Sequence, residues 1–402
     1  MKRYFILILL TLVSLLFLNG CWNSKELSDL AIVIGIGIDK VPNSDQYKVS
    51  LLIVNPSTVA AGKGSGGKST MPNIVFSSVD RTLLSAFRKS SQKVSRRLFF
   101  AHSQLLVIGE PVAREGIYNL FDYFERSHEL RLTSSVVIAR GIHAESLLNI
   151  LTPLQSITAT SIKDKLKVSS ESWAQSVDVN VIEVIKRLSG SGEPVISGMR
   201  VIGNPSKGNK KSNLEKSPPY TTIETNGIAI FSNGKLSTWL DGKVARGVIW
   251  VLNKMKSTII NIDCEDKKEA ISIEIIRSSS KLRVDVLNGK PSLSLHVTEE
   301  GNFSEAKCPI NPNNHDELVK LQNQLTEETK KEIKSAIKAT QKKKSDIFGF
   351  STELERTHPR EWKKMKNNWP NLYSETEVKV SVEAYIRRTG LRINSYMKSE
   401  EE

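Results

Sequence analysis

Hydrophobic positions change their period repeatedly along this chain, and the changes mark out its elements. Residues 31–39 form a continuous Ile- and Val-rich run, the pattern of a strand covered on both faces. Residues 46–54 alternate as a second strand, and 55–72 are a flexible Gly/Ser loop. Strand resumes at 73–77. Residues 79–94 read as a helix with Leu83, Leu84 and Phe87 on one face. A strand at 98–108 leads into an amphipathic helix around Ile117, Leu120, Phe121 and Phe124, and 134–140 is strand again. Helical patterns near 143–151 and 177–188 are separated by a less regular stretch, and a strand at 195–202 closes this half.

Residues 204–219 are polar, basic and end in two prolines, the best linker or long surface loop in the chain. Beyond it, apolar runs at 227–231 and 235–240 flank Ser232-Asn233-Gly234, which predicts a hairpin with an Asn-Gly turn. Residues 246–255 suggest a helix. Three or four strands between 257 and 303 alternate as an antiparallel sheet with one buried face would. The longest helical segment, 316–344, carries Leu318, Leu321, Leu325, Ile333 and Ile337 as a stripe. Thr326 and Thr329 interrupt any heptad, so the stripe is expected to pack on the sheet. Shorter helices at 353–357 and 359–368 precede a last strand, 377–387. The expected fold is mixed α/β (α+β) and multi-domain, each domain a sheet packed with helices. The antiparallel sheet and the long amphipathic helix belong to the C-terminal half. The expected division is 21–203, as one α/β region or two subdomains, then a linker or surface loop at 204–226, a domain at 227–390 and a tail at 391–402.

The first 20 residues read as a signal peptide: Lys2 and Arg3, an apolar run over 4–18, then Leu18-Asn19-Gly20-Cys21. The apolar run is shorter than the ~20 residues that span a bilayer. A small residue followed by Cys is the ending of a bacterial lipobox, where diacylglyceryl lipid on Cys21 holds the mature chain to a membrane; Asn19 departs from the small residue usual before the Gly. The formal charge is +14, and +12 remains without Lys2 and Arg3. Export argues against a nucleic acid as the partner of that charge, and an anionic leaflet suits it. Of the three cysteines, Cys264 and Cys308 remain once Cys21 is lipidated. Both lie in or beside strands of one region, so they either form a disulfide or stay as buried thiols.

Residues Gly62-Lys63-Gly64-Ser65-Gly66-Gly67-Lys68-Ser69 match the phosphate-loop expression. A phosphate loop must leave a buried strand and open a helix at the Lys, so that amides and the helix dipole face the phosphates. Here a loop precedes the match, Pro72 follows it, and the next element is a strand. Gly-rich low complexity explains it. Gly35-Ile36-Gly37 lacks the third glycine of a dinucleotide site and reads as a strand with close backbone contacts. The six histidines lack metal-ligand spacing, and His102 reads as a packed or surface residue rather than a base. No catalytic residue, cofactor site or metal site is indicated.

Several stretches stand out in order along the chain: Cys21-Trp22 through Glu26-Leu27-Ser28-Asp29-Leu30-Ala31 to Gly37-Ile38-Asp39, and Gly227 to Phe231 with Asn233-Gly234, Trp239 and Ala245-Arg246-Gly247. Near the end come Lys344-Ser345-Asp346-Ile347-Phe348-Gly349-Phe350, Pro359-Arg360-Glu361-Trp362, Trp369 and Ile386-Arg387-Arg388-Thr389-Gly390. Together they resemble the Ger(x)C family, the lipoprotein C subunits of bacterial spore germinant receptors. The resemblance implies a non-enzymatic subunit, lipid-anchored on the outer face of the spore inner membrane. It would assemble with A and B subunits to respond to nutrients, and it would have no cofactor. It transfers no catalytic residues. Trp239, Trp362 and Trp369 read first as core, Asp346 as a helix cap, and Gly349 and Gly390 as turn residues. The competing reading is an extracytoplasmic ligand-binding lipoprotein that captures a small nutrient, in a cleft around 190–226.

Overall fold

The computed structural model describes residues 3–6, 29–54, 71–311 and 314–388. Nine strands form its larger sheet. At its centre β1 (Leu30–Lys40) pairs antiparallel with β2 (Tyr47–Val54), which pairs with β3 (Asn73–Asp80) at the edge. The short β4 (Arg97–Phe99) lies parallel to the start of β1, and β5 (Leu105–Gly109) continues that side. Next come β6 (Ser135–Ala139) and β7 (Val195–Gly203), both parallel, and then the antiparallel hairpin of β8 (Thr221–Ser232) and β9 (Lys235–Leu240). In the hairpin turn Asn233 and Gly234 both have positive φ, 50° and 66°, the backbone an Asn-Gly turn supplies at low cost.

Helices cover both faces of this sheet, which is why β1 is apolar from Leu30 to Ile38. Ile36, Ile38, Leu106, Ile108, Val136 and Ile138 bury against α1 (Leu83–Ser90), α2 (Glu110–Glu115) and α3 (Tyr118–Arg126). Each such side chain is worth about 1.5–3 kcal/mol when fully buried. On the other face Leu52, Leu105, Val107 and Val137 meet α4 (Ala144–Leu148) and α5 (Thr158–Ser172). The two glycines of β1 serve that second layer. A Cβ on Gly37 would stand 3.0 Å from Leu148 Cδ1, and one on Gly35 would stand 3.1 Å from Ala159. At the end of β1 the buried Asp39 carboxylate accepts hydrogen bonds from the backbone N–H groups of Ala144 (2.8 Å) and Glu145 (3.0 Å), docking the start of α4.

Three local expectations change. Strand β3 extends to Asp80, so the helix expected over 79–94 is only α1, and Leu84 is exposed rather than buried with Leu83 and Phe87. The strand expected over 98–108 is broken by a turn in which the Ser103 N–H donates to the Phe100 carbonyl. The irregular stretch before 177 holds α5, whose buried face includes Thr158, Ala159 and Ser161, residues that carry little hydrophobic signal.

After α6 (Val181–Ser189), β7, the single turn α7 (Pro205–Gly208) and the hairpin, α8 (Gly242–Val251) leads to a second sheet. Its strands are β10 (Thr258–Cys264), β11 (Lys267–Leu287), β12 (Lys290–Ala306) and β13 (Val378–Arg388). The first three are antiparallel; β13 joins β12 in parallel because helices carry the chain back to the same end. The 27-residue α9 (His315–Gln341) lies across one face of this sheet, burying Leu321, Leu325, Ile333 and Ile337 of the expected stripe. Three short helices follow it, α10 (Phe350–Thr357), α11 (Pro359–Met365) and α12 (Trp369–Glu375). Cys264 and Cys308 are joined by a disulfide, with Cα atoms 6.5 Å apart. Among the described residues no helix is long and apolar enough to cross a membrane.

Candidate functional site

The two sheets are tied together where α9 ends. The Asp346 carboxylate, 5% exposed, accepts from the backbone N–H groups of Gly349 (3.0 Å), Phe350 (3.2 Å) and Ser351 (2.6 Å). It therefore satisfies the otherwise orphaned donors at the start of α10. Trp369 Nε1 donates to the same carboxylate at 3.0 Å, and the Trp369 ring meets that of Trp362 edge-on at 5.6 Å. Gly349, with φ +88°, makes the turn that lets the loop fold back over Asp346.

Around this knot the first sheet supplies its own contacts. The Ser345 hydroxyl donates to the carbonyl of Phe231 on β8. The Glu193 N–H donates to the Asp346 carbonyl at 3.3 Å, while the Glu193 carboxylate accepts from the N–H groups of Asn233 (2.6 Å) and Gly234 (3.4 Å). Burial pushes the Glu193 carboxyl above the usual range, against those two backbone donors. The Ser351 hydroxyl donates to the Ser191 carbonyl, and the Ser191 hydroxyl to Glu355. The hairpin turn, the 190–194 loop and the start of α10 are thus one hydrogen-bonded unit.

Asp346→Ala should leave four buried donors without an acceptor and lower unfolding stability by about 3 kcal/mol, read as a fall in the urea midpoint. A loss below about 1 kcal/mol would show that the carboxylate does not hold the junction.

A second buried polar group lies where α8 crosses α9. The Arg246 guanidinium pairs with both Glu332 oxygens and donates to the Ile259 carbonyl (2.8 Å) and the Thr258 hydroxyl (3.3 Å). Gly247 permits the crossing, since a Cβ there would lie 2.3 Å from the Glu332 carbonyl oxygen. Beside the pair sits Glu299 on β12, fully buried, neither of its oxygens hydrogen-bonded. The Thr329 hydroxyl lies next to it outside hydrogen-bonding geometry.

A third cluster is half exposed. Arg140 forms a two-pronged pair with Asp241 (2.5 and 3.0 Å) and lies 4.5 Å over the Trp239 ring, whose Nε1 donates to Glu110. Trp239 is therefore half-buried, packed against the core with a cation over its outer face. His102 is exposed, edge-on to Phe99. No group of three His, Cys, Asp or Glu among the described residues could hold a metal ion.

This arrangement of buried caps and paired charges fixes two sheets against each other. Residues 23–201 match the family described as the spore germination protein N-terminal domain, and residues 226–390 match spore germination B3/GerAC-like, C-terminal. The chain belongs to the Ger(x)C family of spore germination proteins. It is 36% identical to spore germination protein KC of Bacillus subtilis (strain 168) over 399 residues, 98% of each chain. It is 25% identical to spore germination protein B3 of the same organism over 372 residues, 92% of this chain and 93% of the other. The crystal structure of the GerBC protein shares the fold, with a TM-score of 0.53 and 18% identity over 88% of this chain and 96% of that one.

The C-terminal family segment begins at 226, inside β8, so most of the β8–β9 hairpin it encodes completes the sheet of the N-terminal segment. The family stretches converge: Asn233-Gly234, Ser345 to Gly349 and Trp369 all meet at the junction, and Ala245-Arg246-Gly247 sets the helix crossing. Cys21, the Gly-rich stretch 62–69, Thr389 and Gly390 lie outside the described residues. Glu193, Arg187 and Glu332 were not singled out by motif or spacing; the Glu299-Glu300 pair reads in the sequence as solvated acids near a turn, whereas Glu299 is buried within β12 because its side chain faces α9. A charged residue inside an apolar stripe, as Glu332 is in α9, is the one signal that pointed to any of them.

Proposed function

We propose that this chain is the membrane-anchored, non-enzymatic C-type subunit of a spore nutrient germinant receptor. It is held by lipid on Cys21 at the extracytoplasmic face of the spore inner membrane and assembles there with A and B subunits. The observation that carries this reading is the match to a relative named as a spore germination protein over 98% of both chains. The order of the family stretches, the lipobox-like ending at Cys21 and the +12 charge of the mature chain support it.

The geometry near the anchor fits as well. Cys21 precedes Leu30 by nine residues, a reach of at most about 30 Å. Paired with Leu30 is Arg97, which with Arg96 and Lys93 is exposed at this end of the sheet. A basic end beside a lipid tether suits an anionic leaflet, at about 1 kcal/mol per basic side chain near the surface.

The test is Cys21→Ala in the spore-forming host, followed by labelled-fatty-acid incorporation, membrane fractionation and nutrient response. The wild type should carry label and sediment with membranes; the variant should be unlabelled, soluble and impaired in germination through this receptor. An unlabelled wild type, or a normal response from the variant, overturns the anchored-subunit reading.

A further inference from the structure

Beside the junction a cleft of about 530 Å³ opens between α6, the end of α8, β11 and the start of α10. Its floor is apolar, from Val179, Val184, Leu252, Leu282 and Phe348. Arg187 stands at its wall. The backbone around the guanidinium has been cleared for it: a Cβ on Gly192 would lie 3.0 Å from one Nη atom and a Cβ on Gly349 would lie 3.1 Å from the same atom. Both positions are glycine, one in each half of the molecule.

Among the described residues, no hydrogen bond or ion pair engages this guanidinium. Asp346 and Glu183 attract it only through space, and both carboxylates are committed elsewhere: Asp346 to its four N–H donors and Glu183 to Lys254 at 3.1 Å. The other rim acids are also engaged, Glu355 by the Ser191 hydroxyl and Glu353 by Arg356. A half-buried guanidinium that leaves five N–H donors unused loses solvation without return, and its planar fork matches a carboxylate on two parallel hydrogen bonds. The depth of the apolar floor beside it selects for an anion with an organic body rather than a bare ion.

We propose that this cleft binds a small organic carboxylate, its carboxylate paired with Arg187 and its apolar body against Val184, Leu252 and Phe348. Because α6 belongs to the first sheet and Leu282 and Phe348 to the second half, the occupant bridges the two. The proposal stands whether or not Cys21 is lipidated, since none of its observations involves that residue.

The experiment uses the full mature chain and probes of graded size: isovalerate, benzoate and 3-phenylpropanoate, each beside its neutral primary amide, with inorganic phosphate as a further probe. Modification of Arg187 by phenylglyoxal is followed by peptide mass mapping, and the thermal midpoint is read in parallel. At least one carboxylate should slow Arg187 modification saturably and raise the midpoint, while its amide does neither. Arg187→Gln should weaken that carboxylate at least about tenfold, as expected for loss of a charged two-pronged contact. The protection measured on the unmutated chain holds even where Arg187→Gln perturbs folding. The assignment is overturned when no carboxylate protects Arg187, when amide or phosphate protects equally, or when Arg187→Gln retains the midpoint shift.

Discussion

Glu332→Ala is expected to destabilise the protein by about 3–5 kcal/mol, the cost of leaving a buried guanidinium without its counter-charge. Arg246 and Glu332 are 4% and 1% exposed at their side chains, so water cannot replace the lost partner. The remaining bonds from Arg246, to the Ile259 carbonyl and the Thr258 hydroxyl, solvate the cation but do not neutralise it. The double variant Arg246→Met with Glu332→Leu should lose far less, because it removes both desolvated charges and fills their space. Urea midpoints of the two proteins decide the matter. A double variant as unstable as the single one would mean that the pair contributes through shape, or through its bonds to β10, rather than through its charges. The same contact explains why Gly247 follows Arg246: the arginine reaches α9 only because its neighbour has no side chain to hold the helices apart.

The larger elements were legible because burial on two faces leaves a strong mark. Residues 31–39 could be read as a doubly covered strand since every position faces a helix layer, and Asn233-Gly234 could be read as a hairpin turn since few other pairs adopt its backbone. What stayed hidden is where a strand pairs. Nothing in the alternation of 227–240 says which sheet it completes, because the side chains of a strand fix its faces and leave its neighbours open. Helix α5 was lost for the opposite reason. Its buried side mixes Thr158, Ala159 and Ser161 with Ile162 and Leu166, and Ala159 packs closely against Gly35 of β1, so small and polar residues dilute the hydrophobic period.

Of the candidate site, Asp346 was readable as a cap and Gly349 as a turn from local chemistry alone. Their partners were not, since Glu193 and Phe231 lie over a hundred residues away and no local pattern encodes such a contact. Trp239 was expected in the core and does pack against it half-buried; what the sequence did not show is the Arg140 cation over its ring, a pairing that depends on β6 and β9 ending at the same rim of the sheet. Arg187 gave no sign in the sequence because a basic residue in the last turn of a helix is already explained by the helix dipole. Only the emptiness around it, made by Gly192 and Gly349, sets it apart.

Glu299→Gln should make the protein more stable, by an amount that grows with pH. Burial is the main cause that pushes the Glu299 carboxyl from its ordinary 4.5 up to about 8; the nearby Glu332 charge adds to this and Arg246 opposes it. Between those values the folded protein keeps a proton that the unfolded chain has lost, so folding stability falls as pH rises from about 4.5 to about 8 and levels off above. The slope is at most about 1.4 kcal/mol per pH unit, which amounts to several kcal/mol over the whole window. Glutamine has the same shape and no proton to lose, so it removes this slope. The two proteins should have similar urea midpoints at pH 5 and should diverge through pH 6.5 to pH 8, with the glutamine form the more stable. Taking the difference between the two proteins cancels the titration of every other group they share. A constant difference across that range would mean that Glu299 is ionised in the folded state, with a partner for its two oxygens. A difference that opens with pH would instead place a neutral acid under α9 below about pH 8.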